Sequence, residues 1–179
     1  MGMPTVLVLA SGRGERFVAS GGTGSKLQAL LAGKPVLERT LEAVRASGLP
    51  WHLEDAGHPG MGDSIAAAVA ATRSAYGWLV LPGDLPLIRP DTLVQVAKAI
   101  EDHVVVLPVY GGQRGHPVGF SIECRDALMG LAGPDGAAHV VRAYSRMKLA
   151  YHLQVDDPGT VADVDTVADL QDAERLLRS

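Results

Sequence analysis

Thr5-Val6-Leu7-Val8-Leu9-Ala10 runs into Ser11-Gly12-Arg13-Gly14-Glu15-Arg16-Phe17, and a glycine-rich tract then leads to Gly24-Ser25-Lys26-Leu27. The first six residues form a near-continuous aliphatic run of strand length, the pattern of a central strand buried on both faces. The run stops at small residues, and Arg13, Arg16 and Lys26 follow. Glycines let backbone N–H groups approach phosphate oxygens, and Arg and Lys neutralise their charge, so the stretch suits a polyphosphate. Taken alone, it is equally compatible with an ordinary solvated surface loop. Neither standard glycine motif is present. A dinucleotide fingerprint needs glycine where Phe17 stands. A P-loop needs Gly-Lys-Ser/Thr, whereas Ser25 separates Gly24 from Lys26 and Leu27 follows.

The remaining composition narrows the class. A length of 179 residues suits one domain, residues 1–179, with a real core. Apolar residues make up 47% and aromatic residues 4%, so that core is aliphatic, as in a parallel sheet covered by helices. The formal net charge of −4 disfavours a nucleic-acid partner. The one cysteine, Cys124, excludes an internal disulfide. No apolar run approaches membrane-span length, and no basic region precedes the first apolar run, so neither a membrane partner nor a signal peptide is expected and the location is read as cytoplasmic.

Strand-like and helical stretches alternate along the chain. Lys26–Leu31 reads as a short helix, Val36–Ala46 as an amphipathic one, and Trp51–Asp55 as a brief strand. Gly57-His58-Pro59-Gly60-Met61-Gly62-Asp63-Ser64 is a second glycine-rich loop. Asp63 or Ser64 is positioned to cap an alanine-rich helix from Ile65 to about Arg73. That helix start offers a further place for phosphate or ribose, with Gly62 and Ser64 as candidate nucleotide contacts, or it is simply a capped helix.

Trp78–Leu81 is another buried strand, and Pro82-Gly83-Asp84-Leu85-Pro86-Leu87 follows it. A carboxylate just past a buried parallel strand lies at the sheet edge where open α/β folds bind ligands, and its hard oxygens suit Mg²⁺. A helix is expected from Pro90 to about Ile100 and a strand over Val104–Val109. His116 and Pro117 sit in the long turn after that strand, with substrate contact and a backbone-bonded loop histidine both open for His116. Helices are expected over Glu123–Leu131 and Ala137–Met147. Arg142 and Arg146, one turn apart, read as a solvated face. A strand is expected over Leu149–Val155. Asp163 and Asp165 share one face of an extended segment. Thr166 or Asp165 is placed to cap a last helix carrying Val167, Leu170, Leu176 and Leu177 inward. The alternation gives α/β with a mostly parallel sheet and helices on both faces.

Five stretches, in order, resemble the MobA-like nucleotidyltransferases, and among them the molybdenum cofactor cytidylyltransferases. They are Leu9–Arg16 with Lys26-Leu27, Gly60–Ser64, Pro82–Leu87, Arg114–Val118 and Asp163–Thr166. The first and third belong to the wider superfamily; the Gly-Met-Gly and Gly-His-Pro stretches point to the cytidylyl branch. The resemblance implies a Rossmann-like three-layer α/β/α fold. It implies transfer of a nucleoside monophosphate, CMP first, from an NTP to a phosphorylated acceptor such as molybdopterin, with release of pyrophosphate. By the same resemblance Ala10, Ser11, Gly12, Arg13 and Gly14 hold the triphosphate with Lys26. Arg13, Lys26 and Asp84 are catalytic, Asp84 and Asp165 bind Mg²⁺ with Asp165 preferred over Asp163, and His116 and Pro117 meet the acceptor. Contact with a molybdoenzyme or cofactor chaperone is a further implication.

The chain departs from the family pattern in carrying Phe17-Val18 where a small Met-Gly pair is usual, and a longer glycine-rich insert before Lys26. The segment after the first amphipathic helix is shortened, with only Trp51–Pro59 in place of an added strand-helix unit. That unit would help frame the base, so CTP and GTP both stay open. Two other functions stay open as well: transfer to a sugar or polyol phosphate, and a non-catalytic nucleotide-binding regulator.

Overall fold

The protein is described here by a computed structural model covering residues 2–12 and 14–179; Met1 and Arg13 lie outside the described residues. The first aliphatic run is β1 (Thr5–Leu9), and the loop beyond it holds a five-residue helix, α1 (Glu15–Ala19). A 3₁₀ turn at Lys26–Gln28 precedes the hairpin β2 (Leu30–Leu31) and β3 (Lys34–Pro35). The short helix expected over Lys26–Leu31 is therefore only one turn long. Ala32 and Gly33, both at positive φ, turn the chain back so that Leu31 pairs with Lys34.

There follow α2 (Val36–Ser47), β4 (Trp51–Glu54), α3 (Met61–Ala71), β5 (Gly77–Pro82), α4 (Pro90–Ala99), β6 (Val105–Tyr110), β7 (Gln113–Arg114) and β8 (Val118–Ser121). The helix expected over Glu123–Leu131 is split into a 3₁₀ turn, Ile122–Cys124, and α5 (Arg125–Met129). The chain closes with α6 (Ala138–Arg146), β9 (Ala150–Gln154), a 3₁₀ turn at Pro158–Thr160 and α7 (Val167–Arg178).

The sheet order is β4-β1-β5-β8-β6, with β7 and β9 both paired to β6. β4, β1 and β5 are mutually parallel. β6 and β9 run the same way, because β8 is antiparallel to both β5 and β6. The mostly parallel sheet expected from the aliphatic runs is present, with β8 inserted as a reversed strand. Alternation along each strand feeds two cores. Leu7, Leu9, Trp78 and Val80 pack with Ile65, Ala68, Leu128 and Val141 of α3, α5 and α6. Val6, Val8, Leu79 and Leu81 pack with Leu41, Val44, Leu93 and Val96 of α2 and α4. Each face is thus covered, giving three layers.

Three further features bear on the site. α3 starts at Met61 with Gly60 as its N-cap, so Asp63 and Ser64 lie inside the first turn and do not cap it. The cause is packing: the Gly62 N–H donates to Gly133 O at 2.8 Å, and a Cβ on Gly60 would lie 2.4 Å from the same oxygen. Of the two residues placed to cap α7, Thr166 does so, in a capping box with Asp169 reciprocating. Only its first half is anchored, through Leu170 and Ala173 on a small cluster of Leu27, Leu31, Val36 and Val164. Leu176 and Leu177, expected inward, are exposed because that cluster ends before them. Finally, the buried Asp157 side chain accepts from Thr92 Oγ1 at 2.6 Å, the Arg89 N–H at 3.0 Å and the Gly159 N–H at 2.8 Å. It ties the turn after β9 to the start of α4.

Candidate active site

The chain steps from β1 outward to β4, then back past β1 to β5. The carboxyl ends of β1 and β5 therefore flank the point where the strand order reverses, the usual ligand position in open α/β sheets. A cavity of about 230 Å³ lies there, walled by Leu9, Ser11, Gly12 and Lys26 on one side and by Pro82, Gly83 and Asp84 on another. His58, Gly60, Met61 and Ser64 close it.

Asp84 is held by its backbone from three directions. The Gly83 N–H donates to Leu9 O at 2.8 Å, the buried Thr40 hydroxyl donates to Gly83 O at 2.8 Å, and the Val164 N–H donates to Asp84 O at 2.9 Å. The last bond brings the segment before α7 against the β5 turn. With Val164 fully buried between them, Asp163 and Asp165 both come to Asp84, and the three carboxylates have oxygens within 4.8 Å of one another. Lys26 completes the cluster. Its Nζ lies 2.8 Å from Asp84 Oδ2 and 2.7 Å from Asp165 Oδ1, and its neighbour Leu27 is anchored in the same small core as Val164.

Electrostatics follow from that geometry. Burial alone would push the Lys26 ammonium down, but Asp84 and Asp165 more than offset it and hold it above its ordinary value. Burial pushes Asp163 up to about 6, helped by Asp165. Burial also opposes the charge on Asp165, yet the hydrogen bond from Lys26 prevails and keeps it below the usual carboxylate range. One oxygen, Asp84 Oδ1, is buried and receives no hydrogen bond from any described residue. Three hard carboxylates, one with an orphaned acceptor, are a donor set that fits a divalent cation of the Mg²⁺ or Mn²⁺ kind.

The glycine loop is tied to the far wall. Ser64 Oγ donates to Ser11 Oγ at 3.2 Å, which donates to the Glu54 carbonyl at 3.3 Å. Glu54 is in turn gripped by His52 and His58, at 3.2 and 3.1 Å. Ala10 gives its N–H to Glu54 O, Gly14 adopts φ 66° beside the Lys26 stem, and among the described residues beyond its chain neighbours none comes within 4 Å of the Cβ position of Gly12. Of the residues expected to meet a nucleotide, Ser11, Gly12, Lys26 and Ser64 line one cavity. Gly62 packs on Ala132 beneath it with its N–H already used. Arg13 lies outside the described residues.

A second cavity, about 610 Å³, adjoins the first through Leu9, Met61, Pro82 and Pro134. His116 lines it, fixed by its N–H to Thr160 O at 3.0 Å, and Pro117 is buried beside it after a cis peptide bond. Arg114 and Arg142 also line it. Arg142 and Arg146 are both exposed, as a solvated face requires, and Arg142 in addition borders this cavity. Thr40, Glu54 and His58 were not singled out; only the fold brings them to the loop.

Burial pushes the His116 imidazole below its ordinary value of 6.5, and the nearby Asp84 only partly opposes this. The unfolded chain then binds the proton more readily, so this group's stabilising contribution is complete above about pH 6.5 and is lost as pH falls below it. The melting temperature of the wild type should therefore drop more than that of His116→Gln between pH 7.5 and 5.5. Parallel curves would contradict the assignment.

A glycine-rich loop, a carboxylate-lysine cluster and a second adjoining cavity thus meet at the carboxyl edge of the sheet. Residues 42–148 match the family model of the MobA-like NTP transferase domain, and the chain belongs to that family. The matched stretch contains Asp84 and His116; Lys26 and Asp165 lie outside it.

Among curated relatives, the bifunctional protein GlmU of Nitrosomonas europaea is 30% identical over 148 residues, covering 69% of this chain and 31% of that protein. The 2-C-methyl-D-erythritol 4-phosphate cytidylyltransferase of Frankia casuarinae is 34% identical over 113 residues, covering 60% of this chain and 37% of that protein. The chain thus spans about a third of the length of these relatives. Among solved structures, Rv0371c of Mycobacterium tuberculosis superposes with a TM-score of 0.80 at 25% identity, covering 99% of this chain and 98% of that one. The same protein has been crystallised in complex with manganese, with a TM-score of 0.74 at 24% identity and 99% of each chain covered. The molybdopterin-guanine dinucleotide biosynthesis protein A of Archaeoglobus fulgidus shares the fold, with a TM-score of 0.64 at 18% identity over 97% of this chain and 98% of that one.

Proposed function

We propose that residues 1–179 act as one nucleotidyltransferase domain that moves CMP from CTP to the phosphate of a pterin acceptor of the molybdopterin kind, releasing pyrophosphate in the cytoplasm. The observation that carries the reading is the Lys26–Asp84–Asp165 cluster, whose Lys26 and Asp84 line the smaller of two adjoining cavities. The glycine loop and Arg13 take the triphosphate in the smaller cavity, with Ser11 and Ser64 in its wall. The larger cavity takes the acceptor between His116 and the arginines. Asp84 and Asp165, with Asp163 beside them, are the residues to hold Mg²⁺, which when bound supplies charge neutralisation at the phosphates. Lys26 adds a second positive charge near them. The chain's own part is to align the acceptor phosphate with the α-phosphorus and to keep water from competing; no covalent nucleophile is needed.

The test is thermal stability with CTP, GTP, ATP and UTP, each with and without Mg²⁺, followed by pyrophosphate release with candidate acceptors. A ligand bound only by the folded state raises the melting temperature by mass action. The expected result is a Mg²⁺-dependent shift specific to CTP, with pyrophosphate released when a molybdopterin-type phosphate is added. A shift specific to GTP would replace cytidylyl by guanylyl transfer, and no shift with any nucleotide would overturn the reading. Transfer to a polyol or sugar phosphate is a second reading, the polyol form being favoured by the name of the Frankia casuarinae relative, and the acceptor screen separates the two. No helix among the described residues is long and apolar enough to cross a membrane.

A further inference from the structure

The ammonium of Lys26 occupies the position between two carboxylates that the proposed reaction needs for a cation. It lies 2.8 Å from Asp84 Oδ2 and 2.7 Å from Asp165 Oδ1, with all three side chains largely withdrawn from water. We propose that Lys26 is the resident counter-ion of this cluster, and that a divalent cation displaces it only when a triphosphate draws the lysine away, so that metal and nucleotide load together. The inference rests on the nucleotidyltransferase reading of the site and adds how that site is filled.

Three observations support it. First, carboxylate oxygens that bind a divalent cation would set its double charge against the ammonium at the same contacts. The two cations repel, so they are alternatives there. Second, the lysine can leave without moving the backbone. Leu27 and Val164 hold the two chain segments in the small core, whereas the Lys26 stem has four rotatable carbons. Third, there is somewhere to go. A Cβ on Gly14 would lie 3.5–3.8 Å from Lys26 N, Cγ and Cβ, so the stem already runs alongside the glycine loop. Beside Gly12, no described residue other than its chain neighbours comes within 4 Å of the Cβ position. A triphosphate in that loop offers the ammonium new anionic partners. Asp84 Oδ1, with no hydrogen bond from the described residues, and Asp163 then remain to complete a cation's oxygen shell.

The experiment measures Mn²⁺ binding to the full chain at fixed pH, by the loss of the free-ion electron paramagnetic resonance signal. It uses wild type and Lys26→Met, with and without the unreactive analogue α,β-methylene-CTP. Lys26→Met keeps the stem and removes the charge; circular dichroism checks its fold, and Lys26→Gln serves if it does not fold. Without nucleotide, the variant should bind Mn²⁺ about 10-fold tighter than wild type, a coupling of ordinary size. The analogue should tighten Mn²⁺ binding to wild type by about the same factor, and much less in the variant. Equal Mn²⁺ affinity of the two proteins without nucleotide would overturn the inference, whatever their transfer activity. If the variant binds Mn²⁺ more tightly but neither protein binds any nucleotide, the counter-ion role stands and the proposed function fails.

Discussion

Asp84→Ala is expected to slow nucleotidyl transfer by about 10²–10³-fold while leaving the melting temperature nearly unchanged. The two halves of this result have separate causes. The turn that presents Asp84 is fixed by main-chain bonds from Gly83, Val164 and the Thr40 hydroxyl, none of which involves the carboxylate. One carboxylate oxygen receives no hydrogen bond from the described residues, so the side chain adds little to the fold on that side. Its other oxygen shares Lys26 with Asp165, which keeps the ammonium paired when Asp84 is removed. What is lost is the charge in the wall of the smaller cavity. Asp84→Asn, of equal size, should behave like the alanine variant in pyrophosphate release. A wild-type rate in both would sink the assignment of Asp84.

Asp157→Ala should show the opposite pattern, costing about 3 kcal/mol of stability without entering the chemistry. Asp157 is 2% exposed and accepts from Thr92, the Arg89 N–H and the Gly159 N–H. Removing it leaves the buried Thr92 hydroxyl and two amides without their acceptor, and each unmade bond carries its desolvation cost. For a chain of this size the melting temperature should fall by about 10 °C. Asp157→Asn, which keeps an acceptor oxygen, should recover part of the loss. A shift of under about 2 °C in the alanine variant would show that water replaces the carboxylate, against the burial seen here.

Much of this was legible in the chain, and the boundary has a physical cause. Val6 to Leu9 and Leu79 to Leu81 read as buried parallel strands because both of their faces are apolar. Asp84 stood out because it follows such a strand directly. These are local signals. The resemblance put Lys26 and Asp165 in one site, but their direct bond was not legible: the residues are 139 positions apart, and charge alone does not choose a partner. The reversed strand β8 has no signature of its own, since Val118–Ser121 is too short for a pattern that tells direction. Gly62 reads from the chain as a place for a ligand to approach, and nothing local foretells that the turn at Ala132 and Gly133 packs against Gly60 and Gly62. The leucines of α7 kept a helical period to the end, but the surface they would have covered stops one turn earlier.

β4 is four residues long, is paired only with β1, and forms the rim of the sheet. In β4, Glu54 supplies the carbonyl to which Ser11 is bonded. Short rim strands are where a sheet frays first, and such fraying sets the fastest exchange of amide protons. The glycine loop is therefore one hydrogen bond from a short rim strand. A nucleotide seated against Ser11 would slow deuterium uptake at Trp51–Glu54 as well as in the loop itself, so solvent exchange at that rim becomes a readout of occupancy.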